Sequence, residues 1–576
     1  MIETPNLQSN PKNQEQAVDE TFDVVVVGSG AAGLAAAITA AGHGLSVVVL
    51  EKSERWGGTT ARSGGGVWVP GNPAIQDHVP AGDLGEARRY LHAIVDEVDP
   101  ARIDTFVDRG AEAMGYLADH SALDLAWVRG YADYFPEAPG GRAAGRSAEP
   151  RPFDARRIGD DLATMEPFYT KTPLNVVVLQ SDYRWLSTGR RHWRGPLHMA
   201  RIGLRFAWAR LRRRRLVGLG SALVASLMVG VREAGIPLRL GTAMAGLVED
   251  DGRVVGVRTG GGDRVLARRG VVLACGGFDH DAELRRTHQR RPAGPELSLG
   301  VATNTGDGIR AAQVAGAATD LMDDAWWAPS IPLPKGPWFA LSERSLPGGI
   351  IVNRHGERFM NESLPYVEAT HRMFGGTHGR GTGPDDDAEN LPCWLVFDQT
   401  YRDRYLFAGV QPGRALPKSW LASGAITKAG SLDELAAAIG VPAAGLAATV
   451  ARFNGFAAEG VDHDHHRGES AYDHYYGDLT NKPNPSLGPI AKGPFYAARM
   501  VPADLGTKGG IRTDPRARAL RADGTPIPGL YAAGNTSAAV MGHTYAGPGA
   551  TIGPALVFGY LAALDCAAVR QDEAHD

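Results

Sequence analysis

Gly28-Ser-Gly30-Ala31-Ala32-Gly33, with Glu51 eighteen positions beyond the last glycine, is the first group whose residue types and spacing imply a chemistry. Such a set binds the pyrophosphate and ribose of a dinucleotide. Gly28 permits a tight turn, Gly30 lets backbone approach the phosphates, and Gly33 lets a helix pack on a strand. Ala31 and Ala32 open a helix whose positive end faces the phosphates, and Glu51 accepts the ribose hydroxyls. A lone GxGxxG is weak evidence. Here a strand precedes it, a helix follows it, and the acid closes the next strand.

Lys52-Ser53 follows the acid, and then Trp56-Gly-Gly58-Thr59-Thr60-Ala-Arg-Ser63-Gly64-Gly65-Gly66. A loop of glycines and hydroxyls in this place wraps a long extended cofactor and reaches an isoalloxazine ring, which a nicotinamide domain does not need. No second GxGxxG offers NAD(P)H a docking unit. FAD is the expected cofactor. Other reactive side chains are less informative. His463, His465 and His466 lie in a polar DHDHH loop without a partner motif and are read as solvated, so no metal is expected. Cys275, Cys393 and Cys566 form neither a disulfide framework nor a zinc spacing, which fits a reducing cytoplasm.

The elements that must hold these residues start at Phe22. Val24–Val27 is β-branched throughout, as in a parallel strand buried on both faces. LAAAITAAGHG reads as a helix and Leu45–Leu50 as the next strand. Ala222–Ala234 reads as a helix with Ser221 as its N-cap. Pro237–Leu240, Gly246–Glu249 and Arg253–Arg258 read as short strands, the last two joined by a DDG turn. Val271–Ala274 is a buried strand delivered into Gly276-Gly277, and Gly529–Ala533 is another delivered into Gly534. A last helix runs from Ala550 to about Val569. Between them, residues 326–490 alternate irregularly with many prolines. The expected fold class is α/β: a Rossmann-like FAD-binding domain built from both chain ends (21–325 and 491–576), with an inserted α+β cap domain at 326–490. Residues 1–20 are polar, with no apolar run, and read as a disordered tail rather than a signal peptide.

Composition narrows the class. The 576 residues are 43% apolar and 22% charged, as in globular proteins. Sixty basic against 64 acidic residues leave a net charge of −4, so no global field favours nucleic acid. Seventy-four glycines, close to twice the usual share of about 7%, mean tight turns and backbone near a bound group. No run reaches the about 18 apolar residues of a spanning helix. Residues 184–215 stand apart, with eleven arginines interleaved with Trp185, Trp193, Phe206 and Trp208. They read either as a basic, aromatic surface for an anionic membrane or as a solvated helical hairpin. On a helical wheel Leu197, Leu204, Trp208 and Leu211 oppose Met199, Ile202 and Phe206.

Four segments resemble the flavoprotein family of fumarate reductases and succinate dehydrogenases. They are the GSGAAG motif with Glu51, the GGTTARSGGG loop, Asn304-Thr-Gly-Asp307-Gly308, and the run from Gly348 to Glu362 that ends RFMNE. The resemblance implies further FAD contacts at Met244, Ala274, Gly276, Asp307, Gly534, Asn535, Ala550 and Ile552. Two departures matter more. That family carries a proton-delivering arginine four residues beyond the RFxNE glutamate, where this chain has Tyr366. It carries a carboxylate-gripping arginine in a C-terminal glycine segment, where this chain reads Gly542-His-Thr-Tyr545-Ala-Gly-Pro548-Gly549. A dicarboxylate loses its clamp, so fumarate is rejected as substrate. The histidine that bonds flavin covalently in the succinate dehydrogenase branch is missing from 54–66, so the FAD is expected to be noncovalent.

Phenols at both places, with a third in Gly130-Tyr131-Ala-Asp-Tyr134-Phe135, resemble the 3-ketosteroid Δ1-dehydrogenases; Ala546 departs from the proline of many members. The resemblance implies that Tyr545 and the Gly549 N–H polarise the 3-keto oxygen, as an oxyanion hole does. It implies that Tyr366 removes the C2 proton with Tyr134 as relay, while hydride passes from C1 to flavin N5. Tyr131, Phe135 and Pro548 are then expected to line the steroid channel. A phenol near pKa 10 is a poor base at neutral pH, and a second phenol in a buried site is the expected remedy. The rivals are a Δ4-(5α)-dehydrogenase, a reductase of another enone or unsaturated acid, and a flavin-free lipid carrier. Reduced FAD needs an external electron acceptor, a quinone if 184–215 touches lipid.

Overall fold

The computed structural model describes residues 19–169, 176–376 and 388–569. Most of the tail expected over 1–20, and the chain beyond 569, lie outside them. Asp19 and Glu20 already belong to strand β1 (Asp19–Val27), pairing with Arg264 and Val265.

β1 lies between β2 (Val47–Leu50) and β6 (Arg264–Leu273), both parallel to it. Parallel pairing continues outward from β2 to β3 (Leu238–Arg239) and from β6 to β14 (Pro526–Ala532), whose antiparallel neighbour is β13 (Arg518–Leu520). The sheet order is β13-β14-β6-β1-β2-β3. β4 (Met244–Asp250) and β5 (Arg253–Thr259) hang from β6 as an antiparallel hairpin. Asp251 and Gly252 both have positive φ, which suits a two-residue turn between twisted strands.

The valine run does what its composition demands. Val24 and Val26 face the core under α1 (Ala31–Gly42), while Val25 and Val27 face the second core with Leu273 and Ile309. The C-terminal helix α6 (Ile552–Ala568) packs along α1, so both chain ends build one layer.

α4 (Leu219–Glu233) starts earlier than the sequence suggests, and Ser221 is not its cap. Its start is tied by backbone: the Gly220 N–H donates to the Ser63 carbonyl at 2.9 Å. The Ser221 hydroxyl is left free to donate to Ala61 O at 3.0 Å.

A second, antiparallel sheet has the order β8-β7-β12-β10-β9, with β11 also on β12. Its strands are β7 (Ala325–Leu333), β8 (Gly336–Phe339), β9 (Gly349–Val352), β10 (Cys393–Asp398), β11 (Ile426–Ala429) and β12 (Phe495–Thr507). It therefore extends past residue 490, because β12 hydrogen-bonds along its length to β7, β10 and β11. Helix α5 (Tyr366–Phe374) packs against β7.

The arginine-rich segment forms α2 (Gln180–Ser187) and α3 (Arg194–Leu211), which pack on each other. No helix of the described residues is long and apolar enough to cross a membrane.

Candidate active site

One cavity of about 1220 Å³ runs from the glycine turn after β1 to Tyr134, Tyr366 and Tyr545. Its two ends are built by different means. At the glycine end the backbone does the work. Gly28 has φ +107°, and a Cβ there would overlap the Ala274 carbonyl; a Cβ at Gly33 would overlap the Gly28 carbonyl oxygen. Only glycines let α1 enter so close to β1 and β6. The Ala31 N–H donates to Thr60 Oγ1 at 3.1 Å, joining the start of α1 to the loop of glycines and hydroxyls.

Glu51 follows the last residue of β2 at the cavity wall. One carboxylate oxygen accepts the Ser29 N–H (3.2 Å) and hydroxyl (2.7 Å), and the other accepts the Ser53 N–H at 3.0 Å. Lys52 donates to Asp307 and to the Thr305 hydroxyl, each at 2.6 Å, so two expected cofactor contacts are also partners of each other.

Of the residues singled out from sequence, Gly28, Gly30, Ala31, Ala32, Glu51, Lys52, Gly58, Thr59, Thr60, Ser63 and Gly64–Gly66 line the cavity. Met244, Ala274, Gly276, Asp307, Gly534, Asn535 and Ile552 line it too, as do Tyr131, Pro548 and Gly549. Four lie off the wall. Gly33 packs helix on strand, Ser53 holds Glu51 from behind, and Ala550 is in the core. Phe135 is the correction among the expected channel residues. Its N–H donates to the Tyr90 hydroxyl at 3.1 Å, and its ring packs against the core, off the cavity wall.

At the other end, side chains do the work. Tyr134 comes from the loop after Val128, Tyr366 from the first residue of α5, and Tyr545 from the turn before α6. Their ring centroids lie 5.6 Å (Tyr134–Tyr366), 5.2 Å (Tyr134–Tyr545) and 5.4 Å (Tyr366–Tyr545) apart, each pair edge to face. All three are buried. The Thr551 hydroxyl donates to the Tyr545 oxygen at 3.0 Å, and the Gly549 N–H points to the same oxygen. Gly549 has φ +102°, and a Cβ there would meet the Gly66 backbone, so the turn closes directly on the flavin loop expected from sequence.

Burial pushes the Tyr134 and Tyr366 phenols well above the ordinary value of 10. The expectation that a buried site helps ionise them is therefore reversed: removing water disfavours the phenolate. Only the nearby Tyr134 hydroxyl works the other way at Tyr366.

Sequence reading missed three aromatic neighbours. Trp326 lies 4.9 Å from Tyr545, Phe339 lies 5.0 Å from Tyr366, and Tyr472 lies 4.9 Å from Tyr134. The aromatic density of Tyr472, Tyr475 and Tyr476 was a usable signal for the last; Trp326 and Phe339 sit in strands of the second sheet and carry none.

The cavity fits a dinucleotide and more. It exceeds the usual range of about 300–1,000 Å³ for one ligand, and glycine backbone lines one end while phenols line the other. No histidine is among the described residues of its wall. The expected solvated histidines His463 and His466 pair with Glu459 and Glu469. His543, beside Tyr545, is a core residue near Asp323.

Outside the cavity, α3 carries the two apolar faces seen on the wheel. Ile202 is buried, but Leu197, Leu204, Trp208 and Leu211 are exposed, Leu204 by 70% and Leu211 by 81%. Arg201, Arg210 and Arg212–Arg215 surround them on the surface. Gln180, Tyr183 and Leu186 of α2, against which α3 packs, line the cavity.

Residues 23–552 match the family model described as an FAD binding domain. The chain is 58% identical, over 95% of its length and 98% of the relative's, to a 3-oxosteroid 1-dehydrogenase of Mycolicibacterium smegmatis. A crystal structure of the 3-ketosteroid Δ1-dehydrogenase of Sterolibacterium denitrificans with 1,4-androstadiene-3,17-dione superposes with a TM-score of 0.87 at 38% identity, covering 96% of this chain and 100% of that one. The 3-ketosteroid-Δ4-(5α)-dehydrogenase of Rhodococcus jostii shares the fold, with a TM-score of 0.65 at 23% identity over 96% and 98% of the two chains.

Proposed function

Because this chain belongs to the flavoprotein family defined by that FAD-binding domain, we propose that it is an FAD-dependent oxidoreductase introducing a C1–C2 double bond into 3-ketosteroids. The observation that carries the reading is the trio of buried phenols, 5.2 to 5.6 Å apart, closing a cavity that opens at the other end on a dinucleotide turn. The two arginines that would hold a dicarboxylate are absent from these positions, and phenols recognise a neutral ketone.

The Tyr545 hydroxyl donates to the 3-keto oxygen, with the Gly549 N–H beside it, and stabilises the enolate that develops there. With Tyr366 ionised, the C2–H bond breaks as its proton passes to the Tyr366 oxygen and its electron pair forms the enolate; Tyr134, in edge contact with Tyr366, is the phenol placed to assist that ionisation. FAD, when bound, supplies the acceptor for the hydride leaving C1. Gly28, Gly30 and the first amides of α1 would hold its pyrophosphate, and Glu51 its ribose. The start of α6, at Thr551 and Ile552 on the cavity wall, offers a positive end beside the site. The FAD is read as held without a covalent bond.

The working architecture is an FAD-binding domain made from both chain ends, with the second sheet and its helices as a cap over the substrate. An external acceptor reoxidises the flavin. The exposed stripe of α3, ringed by arginines and one helix from the cavity wall, supports peripheral contact with an anionic membrane and a quinone as that acceptor.

Anaerobic mixing of the purified holoenzyme with androst-4-ene-3,17-dione tests the reading, with the product identified by mass and NMR. Bleaching of the flavin with formation of the 1,4-diene is the expected result. Bleaching only by a 5α-3-ketosteroid, giving a 4-ene, would replace it with Δ4 chemistry, and an enzyme bleached by neither steroid ends the steroid assignment.

A further inference from the structure

Off the cavity wall, behind the phenols, lies a group of buried charges to which the proposed chemistry gives no role. Lys508 is fully buried. Its ammonium donates to Asp324 Oδ2 at 2.8 Å, to the His543 carbonyl at 2.6 Å and to the Thr544 carbonyl at 3.1 Å. All three ammonium protons are thus committed. Two of the acceptors are the peptide carbonyls immediately before Tyr545. The same ammonium stands 5.1 Å from the Trp326 ring centroid, and Trp326 packs on Tyr545.

The other oxygen of Asp324 accepts from His371 Nε2 at 2.9 Å and from Trp327 Nε1 at 2.6 Å. His371 belongs to α5, the helix that Tyr366 opens. One carboxylate therefore joins the turn carrying Tyr545 to the helix carrying Tyr366. Glu368 of α5 reinforces the link, accepting from the Thr544 hydroxyl at 3.5 Å.

We propose that Lys508, Asp324 and His371 act as one positioning unit that fixes the separation and angle between the carbonyl-polarising phenol Tyr545 and the proton-accepting phenol Tyr366. The inference rests on the roles given to those phenols above. Burying three charges costs desolvation that apolar residues of the same volume avoid, so stability alone is a poor reason for them. Charged hydrogen bonds are directional, and they hold two elements in register where apolar contacts permit slip. Burial works against a proton on His371, but Asp324 and Glu368 outweigh it and push the imidazole up to about 9, so it is a cation in neutral solution.

The test is the limiting rate of anaerobic flavin bleaching by androst-4-ene-3,17-dione, measured on flavin-loaded protein. Lys508→Met and Asp324→Asn should each lose roughly 10- to 100-fold in that rate, as an ångström-scale misplacement does, with half-saturation by steroid changed less than about threefold. In a Tyr545→Phe background Lys508→Met should cost less than about threefold more, since the residue acts through that phenol. A full loss persisting in that background, or single variants bleaching at the wild-type rate, overturns the proposal. Should Lys508→Met fail to hold FAD, His371→Gln, which keeps a donor to Asp324 without the charge, carries the same comparison against Tyr545→Phe. Wild-type protein that is not bleached refutes the functional reading itself, whereas bleached wild type with uncoupled variants refutes only the positioning unit.

Discussion

The two ends of the cavity are made in opposite ways. The glycine end is centred on one short stretch, β1 to β2, and its chemistry is largely backbone: amides at the start of α1 and carbonyls, that of Ala274 among them, packed where no Cβ fits. The phenol end gathers Tyr134, Tyr366 and Tyr545 from three distant segments, and its chemistry is side chain. The first should fail when an atom is added, the second when an atom is removed. Binding of the cofactor and reaction with the substrate should therefore be separable by mutation.

Gly33→Val gives the largest effect. The added side chain forces α1 off β1 against the Gly28 carbonyl, and we expect purified protein without flavin absorbance and without activity. A yellow, active Gly33→Val variant breaks the comparison at its first half.

Tyr366→Phe comes next. It should keep its full complement of FAD yet lose about 10²- to 10⁴-fold in bleaching rate, the usual worth of a positioned acid–base group. Tyr545→Phe should lose about 10²- to 10³-fold, as for one oxyanion donor. Loss of flavin in either variant would mean that the two ends are not independent.

A smaller effect sharpens the second half. Because burial holds the Tyr366 phenol well above its ordinary value, the basic form grows as pH rises, by up to about tenfold per unit below the pKa. The limiting rate of flavin bleaching should climb from pH 6.5 to 8.5 without a plateau. A flat profile across that range excludes ionisation of a buried phenol as the gate.

The smallest effect lies outside the cavity. Leu204→Asp and Leu211→Asp place charge in the exposed stripe of α3. Sedimentation with vesicles of phosphatidylcholine and phosphatidylglycerol should fall several-fold, each buried leucine being worth about 1.5–3 kcal/mol, while bleaching by steroid in buffer stays at the wild-type rate. Equal sedimentation of variant and wild type leaves α3 a solvated helix.

How much was legible follows the same division. The β1–α1–β2 unit was readable because glycine spacing, valine composition and the terminal acid act locally, within one supersecondary motif. Tyr366 and Tyr545 were readable only as departures from a family pattern. Phe135 was misplaced because adjacency to Tyr134 says nothing about which way a loop residue points. Trp326, Phe339 and Tyr472 went unseen because they sit in strands and a helix far from the three phenols in sequence. The inserted segment was bounded at 490, yet the second sheet runs on through β12, at Phe495–Thr507, which is apolar in the way a strand of either sheet would be and is distinguished only by its hydrogen-bond partners.

The sequence by itself determined the dinucleotide turn, the parallel strand at its base and the apolar faces of α3. Each depends on residue type and on spacing along the chain. The tertiary structure alone decided that three phenols meet edge to face, that their burial opposes ionisation, and that Lys508 and His371 reach one aspartate behind them. Those facts turn on distances between segments far apart in the chain and on the exclusion of water, which no local pattern encodes.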